Sequence, residues 1–359
     1  MSDGTQTEER VGRAAGTAGK APPPDPRGWY ALAFSKELAR GAVLVRRLAE
    51  REVVLFRSES GEVGALDPVC PHLGAHLGHG GRVEGESLRC PFHAFRFATD
   101  GRCVATGYGT KPPKASATAY VVAEKHGLVL VHFDPLGRAP AFVIPELDER
   151  GYTELRTACF ELRGHPQETT ENSVDIGHLG VVHGYQDVRI VEDLHTDGAY
   201  LGATYAMRRP EGLFGRLLAG RAGGGRLGAL LGGIEARFRA HVHGLGYSHV
   251  EVDIPALGLV TRNFVLATPV GGGKIELRLA LAMKRLTEHP ALPAGLRGLP
   301  LGAFDRMLLD RAFSAYLNDV QQDFLVWQHK QWVDRPALAQ GDGPIARYRK
   351  WAAQFYDAS

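Results

Sequence analysis

Two Cys-His pairs stand close together in this sequence, Cys70-Pro71-His72 and Cys90-Pro91-Phe92-His93. Thiolates and imidazoles are ligands of soft and borderline metals, and two of each complete a four-donor set. Two occupants suit such a set. One is a structural zinc ion. The other is a two-iron, two-sulfur cluster in which two imidazoles replace two thiolates on one iron. A zinc finger usually groups its ligands as Cys-x-x-Cys followed by His-x-x-x-His, whereas here each loop supplies one Cys and one His. That interleaving favours the cluster, whose Cys pair holds one iron and whose His pair holds the other, so that each loop reaches across it. His76 and His79 lie between the pairs and read as loop-surface residues.

A second set of ligand types follows in the run from Glu171 through Asn172, Asp175 and His178 to His183. Two His and one distant carboxylate form the facial triad of mononuclear non-haem iron sites, which leaves positions open for dioxygen and substrate. Asn172, Asp175 and His178 are three apart, so a helix would put them on one face. His178 and His183 are five apart, ~140° of rotation on a regular helix. They converge only if the helix ends or bulges between them, which Gly180 and Gly184 permit. The plainer alternative is two ordinary His near a helix end. The carboxylate comes from elsewhere. Phe304 to Trp332 reads as a long helix with Tyr316, Val320 and Trp327 along one face, and Asp323 falls on that face. A carboxylate on an apolar stripe costs stability unless paired or metal-bound. That singles out Asp323, with Asp319 one turn earlier as the fallback; the plain alternative for either is a half-exposed helix carboxylate.

The chain that must position these groups has 359 residues and a formal net charge of +2. That length suits two domains, and the weak charge argues against nucleic acid as a partner. Four Cys make no disulfide framework, and Cys103 and Cys159 are expected to be buried small residues. No apolar run approaches the ~20 residues that span a bilayer. The N-terminus carries Asp3, Glu8 and Glu9 and no apolar core, unlike a signal peptide, so the expected location is cytoplasmic. Residues 1–27, rich in Gly, Ala, Pro and charge, are expected to be a flexible tail. Short apolar runs at 42–45, 52–56, 63–66, 120–122 and 128–131, separated by Gly or Pro, predict strands of a small all-β domain over 28–145. Beyond it, 146–359, alternation around Leu155–Cys159, Arg237–Val252, Leu259–Thr268 and Ile275–Leu281 predicts antiparallel strands with one buried face. With helices between and after them the unit is α+β, a curved sheet able to wrap a pocket. Residues 210–233, with seven Leu or Phe among many Gly and three Arg, read as a loose helix pair, a lid over an apolar cavity, or a face that lets the protein sit peripherally on a membrane.

The loop text CPHLGAHLGHGGRVEGESLRCPFHAF, followed by Glu171-Asn172 to Tyr185 and by Gln322-Asp323 to Lys330 with Asp334-Arg335-Pro336 after it, resembles the oxygenase (alpha) component of the Rieske non-haem iron oxygenases. Within that family it is most similar to the branch of ketosteroid hydroxylases and cholesterol 7-desaturases. Phe92-His93-Ala94-Phe95 departs from the commoner Tyr-His-Gly-Trp. The resemblance implies a Rieske [2Fe-2S] domain ligated by Cys70, His72, Cys90 and His93, then a helix-grip (START-like) catalytic domain with a mononuclear Fe(II) on His178, His183 and Asp323, near Asn172. It also implies a head-to-tail homotrimer, in which Asp175 links the iron ligand His178 to a cluster His, His93, of the neighbouring subunit. Electrons would come from a ferredoxin and/or flavin reductase, with NAD(P)H acting only through that reductase. No nicotinamide or flavin fingerprint is present, and Gly271-Gly272-Gly273-Lys274 reads as a turn. With O2 as co-substrate, the expected outcome is hydroxylation or desaturation of a hydrophobic, sterol-like molecule. The competing expectations are an electron carrier whose second domain only binds a ligand, and a zinc-stabilised binding protein.

Overall fold

The computed structural model describes residues 22–208, 234–285 and 302–357. The first unit holds ten strands: β1 (Gly28–Phe34), β2 (Val43–Leu48), β3 (Arg51–Arg57), β4 (Val63–Leu66), β5 (Arg82–Glu84), β6 (Ser87–Arg89), β7 (Arg96–Ala98), β8 (Cys103–Ala105), β9 (Val122–Lys125) and β10 (Leu128–Phe133). They form three antiparallel sheets, ordered β1-β10-β9, β2-β3-β4 and β5-β6-β7-β8. The two Cys-His loops leave from β4 and from β6 and return into β5 and β7. Leu66, Leu77, Leu88 and Phe97 fill the core directly beneath them.

The second unit is a seven-stranded antiparallel sheet in the order β11-β17-β16-β15-β14-β13-β12. Its strands are β11 (Arg156–Arg163), β12 (Gln186–Asp197), β13 (Tyr200–Arg208), β14 (Glu235–His243), β15 (Tyr247–Ile254), β16 (Leu259–Gly271) and β17 (Lys274–Met283). Short helices α1 (Pro166–Glu171) and α2 (Gly177–Val181) precede β12, and α3 (Gly302–His329) and α4 (Ile345–Ala352) follow the sheet. Strand alternation decides what each face touches. Ile275, Leu277, Leu279, Leu281 and Met283 of β17 pack with Leu309, Tyr316 and Trp327 of α3. Ala280, Phe264 and Leu266 project the other way and pack on Trp29, Ala31, Leu128 and Leu130 of the first unit. Each such large apolar side chain contributes about 1.5–3 kcal/mol when fully buried.

Arg278 pins the two units together. It is 2 % exposed, and its Nη1 and Nη2 donate to the carbonyls of Ala31 at 2.8 Å and Leu32 at 2.5 Å. Thr268 Oγ1 donates to the same Ala31 oxygen, and the carboxylate of Glu276 pairs with the guanidinium. The Gly271–Gly273 turn between β16 and β17 has φ of 81°, 61° and 68°, a left-handed run that glycine alone adopts freely.

Four expectations change. Residues 22–27 are held in place: Arg27 N donates to Phe355 O at 2.9 Å, and the buried Tyr30 hydroxyl donates to Pro26 O at 2.6 Å. Residues 1–21 and the insertion 210–233 lie outside the described residues. The strand expected at 120–122 forms instead as Val122–Lys125. Cys159 is exposed on β11, one position out of phase with the buried face; partial desolvation by its neighbours still pushes its thiol pKa up to about 11, so it remains a poor nucleophile. Finally, Asn172 to His178 is not one helix. The chain turns between α1 and α2 because Gly343 runs against the Val174 carbonyl and Asp342 O accepts from Ile176 N at 3.2 Å.

Several His are buried without charge. The His241 and His249 rings stack at 4.7 Å, and His249 is 2 % exposed. Burial pulls His165 and His243 down to about 4, and His249 well below its ordinary value. Between these values and about 6.5 the unfolded chain binds more protons, so stability rises with pH there, by up to about 1.4 kcal/mol per pH unit for each His. The urea midpoint should therefore fall steadily from pH 7 to pH 5; a flat profile would show that these groups titrate alike folded and unfolded.

Candidate active site

The two Cys-His loops share one backbone pattern. Cys70 N donates to Ala75 O and Cys90 N to Phe95 O, each at 2.8 Å. Each closure needs a left-handed residue four positions after its Cys: Gly74 at φ 75° in the first loop and Ala94 at φ 56° in the second. Ala94 thus bears a strain of roughly 1–2 kcal/mol that glycine would not. Cys70 and Cys90 are each 2 % exposed. Burial and, secondarily, the neighbouring Cys90 push the Cys70 thiol up to about 11. The His72 and His93 rings meet at 4.8 Å, nearly perpendicular, and His72 stacks on Phe95 at 4.2 Å. His93 Nδ1 is sealed from solvent with no hydrogen-bond partner among the described residues.

These donors fit a cluster better than a lone ion. A tetrahedral zinc with bonds of about 2.0–2.3 Å holds its donors within about 4 Å of each other. Among the described residues, the one group of three or more His, Cys, Asp or Glu whose ligand atoms lie within 4.8 Å of one another is His178, His183 and Asp323. The Cys-His set is more widely spread, as two irons require.

The second group is built from two elements. His178 sits in α2, which ends at Val181; just past that end His183 lies with its ring 5.1 Å from that of His178, and the chain then turns away at Gly184, φ 70°. Asp323 arrives from α3, with Oδ2 3.5 Å from His183 Nε2. The outer nitrogen of each imidazole is engaged: His178 Nδ1 with Asp175 O at 2.6 Å, and His183 Nδ1 with Gln322 Oε1 at 3.1 Å. With Nδ1 so engaged, each imidazole would offer Nε2 as its ligand atom, the arrangement that fixes tautomer and ring orientation. Burial pushes Asp323 up to about 6, which His178 and a hydrogen bond from Asn172 partly offset and Asp175 reinforces. Burial also pulls His178 down, but the Asp175 carboxylate outweighs it and leaves the imidazole above its ordinary value. Asp319 lies one turn earlier and accepts from the Tyr185 hydroxyl at 3.0 Å instead of joining the triad.

A cavity of about 940 Å³, part of it open to solvent, begins at His183 and Asp323 and runs between α3 and the sheet, walled by Phe238, Val252, Ile254 and Leu281. Among the described residues no helix is long and apolar enough to cross a membrane. Sequence reasoning missed three contributors. Gln322 was visible only as the neighbour of Asp323. Glu171 receives Arg349 on both oxygens, at 2.7 and 3.0 Å, and so anchors the turn that carries Asn172 and Asp175. Asn263 enters the cavity from β16; its only sequence signal was a polar residue on the inward phase of an apolar strand.

Comparison with known proteins agrees with this geometry. Residues 28–116 match the Rieske [2Fe-2S] domain, and residues 131–356 match the 3-ketosteroid 9alpha-hydroxylase C-terminal domain. The chain is 31% identical to a cholesterol 7-desaturase of Bombyx mori, over 99% of this chain and 76% of that protein. It is 26% identical to a 3-ketosteroid-9-alpha-monooxygenase oxygenase component of Rhodococcus rhodochrous, over 94% and 83%. Among solved structures, dicamba monooxygenase bound to 3,6-dichlorosalicylic acid superposes with a TM-score of 0.66 at 20% identity, covering 91% of this chain and 96% of that one. The chain therefore belongs to the Rieske non-haem iron oxygenases, as an oxygenase component of the branch that holds the 3-ketosteroid 9α-hydroxylases and the cholesterol 7-desaturases.

Proposed function

We propose that this enzyme hydroxylates or desaturates a sterol-like molecule, with Cys70, His72, Cys90 and His93 holding the [2Fe-2S] cluster and His178, His183 and Asp323 holding one iron. Electrons come from a separate ferredoxin and/or flavin reductase. The observation that carries the reading is the convergence of two imidazoles and a buried carboxylate beside a mostly apolar cavity. When bound, the two iron centres supply one-electron transfer and dioxygen chemistry. The chain's own residues do the rest. Asp175 and Gln322 set which nitrogen each imidazole offers, and the apolar walls hold the substrate and exclude water.

A head-to-tail trimer completes the proposal. The cluster tip carries an exposed apolar rim, with Leu73, Phe92 and Tyr108 each at least 60 % exposed. Near the iron site, Val181 is 88 % exposed and Leu325 72 %. Two such collars on different parts of one chain suit a heterologous interface that closes into a ring. Asp175, with about a third of its side chain accessible beside His178, would then meet His93 of the partner subunit.

The test is turnover of a steroid and lipid panel by iron-loaded protein with NADH and a generic reductase, read by mass spectrometry together with the iron count. About three irons per chain and an oxidised steroid support the proposal. About two irons, with no product, would leave an electron carrier with a passive second domain.

A further inference from the structure

The outer face of the large sheet carries a cross-strand row of imidazoles. The cavity takes Phe238 of β14, Val250 and Val252 of β15, and Thr261 and Val265 of β16, so the alternate residues of those strands face away from it. On that outer face the register sets His195 of β12 opposite Gly202 of β13, Gly202 opposite His241 of β14, and His241 opposite His249 of β15. Gly202 matters for what it lacks. A Cβ there would stand 2.6 Å from His195 Cε1 and would strike the Tyr200 hydroxyl, so the His195 ring leans over the glycine. Beyond it the His241 and His249 rings stack. The Tyr200 hydroxyl lies 2.9 Å from His241 Nδ1, and this imidazole would therefore offer Nε2 as a ligand atom. His249 lines a solvent-open hollow of about 690 Å³ together with Tyr200, His241 and His243. It is 2 % exposed, and its Nδ1 has no hydrogen-bond partner among the described residues.

Neutral imidazoles grouped on a rigid sheet are ligands for borderline divalent cations such as zinc and copper(II). Burial holds His241 and His249 below their ordinary pKa, so at neutral pH neither carries the extra proton that a metal would have to displace. The fixed charges beside them cancel. Arg239 meets Glu192 at 4.0 Å and Glu251 at 3.8 Å, and Arg262 meets Glu251 at 2.8 Å. We propose that His195, His241 and His249 form a binding site for a zinc-class divalent cation, closed over Gly202. Their ligand atoms are more widely spread than those of the His178, His183 and Asp323 group. His195 is exposed, and swinging its ring further inward gathers the three without moving a strand. The bound ion ties β12 to β14 and β15 across β13. That tie falls where pairing is weakest: β12 is the edge of the sheet, and its register with β13 slips between Ile190 and Glu192 and again between Glu192 and His195. β12 also begins at Gln186, three residues after His183, so a clip at His195 steadies the strand that leads out of the iron site. The inference is independent of which substrate the enzyme takes.

The test dialyses the iron-loaded full chain against about 1 µM free zinc and measures both metals, for wild type, His195→Gln, His241→Gln and Gly202→Ala. Wild type should take up one zinc per chain and keep all of its iron. Zinc affinity should fall by about 100-fold or more in either His variant, since a ligand is lost. Gly202→Ala keeps every imidazole, but its methyl group displaces the His195 ring, and affinity should fall by about 10-fold or more. Copper(II) in place of zinc should show three nitrogen ligands by paramagnetic resonance in oxidised wild type and two in His195→Gln. Amide exchange across residues 190–197 should slow when zinc is added to wild type and stay as it was in Gly202→Ala. An unchanged cluster spectrum and iron count in each variant shows that the protein is folded. No zinc uptake by wild type, uptake only in exchange for iron, or binding that survives all three substitutions, and is therefore adventitious, overturns the site. Undiminished affinity in Gly202→Ala alone overturns the closure over the glycine.

Discussion

Replacing His178 by alanine should reduce steroid turnover by well over a hundredfold while leaving the cluster's visible and low-temperature paramagnetic spectra as they were. Disturbing the outer partner of a metal-bound His already costs about 10- to 100-fold, and here a proposed ligand itself is removed. Among the described residues no further carboxylate or imidazole joins the group. Asp319 is tied to Tyr185, and the Asp175 carboxylate lies 3.7 Å from His178 Nδ1, on the far side of the ring from the metal-facing nitrogen. The two remaining donors, His183 and Asp323, come from different elements and would hold a metal only weakly. Iron content should therefore fall from about three to about two per chain, the cluster pair remaining. The cluster loops rest on their own core of Leu66, Leu77, Leu88 and Phe97, so the substitution has no direct route to them. Turnover that survives the change would mean that the iron site has been placed on the wrong residues; loss of the cluster spectrum as well would mean a folding defect and would call for His178→Gln in its place.

How much of this was open to a reader of the sequence depends on the range of the interaction. Ligand spacing within each loop is local, so the Cys-His pairs and the His178/His183 pair were visible at once. The same holds for the period-two strands and for the carboxylate on the apolar stripe of α3. What was hidden depends on contacts far apart in the chain. The break between α1 and α2 comes from Asp342 and Gly343, more than 160 residues downstream, pressing on Val174 and Ile176. Local spacing, which knows nothing of that loop, favoured one continuous helix. Likewise Pro22 to Arg27 looks loose by composition and is held because the C-terminal end of the chain, Phe355 and Asp357, reaches it. Arg278 reads as an ordinary outward-facing charge on an alternating strand. It is buried because that outward face is where the first unit docks, a fact no pattern within β17 carries.

Asp175→Asn should keep both metal centres and lower steady-state turnover by roughly a hundredfold, the upper range for an outer-sphere partner. The near-isosteric amide preserves two local contacts. Its oxygen can still accept from His178 N, now 3.1 Å from Asp175 Oδ1, and the backbone carbonyl still accepts from His178 Nδ1. What disappears is the charge. Burial raises the Asp175 pKa, but its hydrogen bond with His178 outweighs that and holds the carboxyl below its ordinary value, so at neutral pH it is an anion. One oxygen of the anion accepts from the His178 backbone N–H, and in the proposed ring the other is open to an N–H from His93 of the partner subunit; the amide would present a donor NH2 there instead. Reoxidation of a pre-reduced cluster under oxygen should accordingly slow in single turnover, whereas steroid binding and iron content should not change. Co-expression decides whether the path crosses between chains. Pair Asp175→Asn subunits with Cys90→Ser subunits, which lack a cluster but keep Asp175. In a head-to-tail ring, about a quarter of the interfaces of a random mixture join an intact cluster to an intact Asp175. Activity should return to about that fraction of wild type, from two parents that are each nearly inactive. If the path ran within one chain, every subunit of the mixture would be defective and nothing would return.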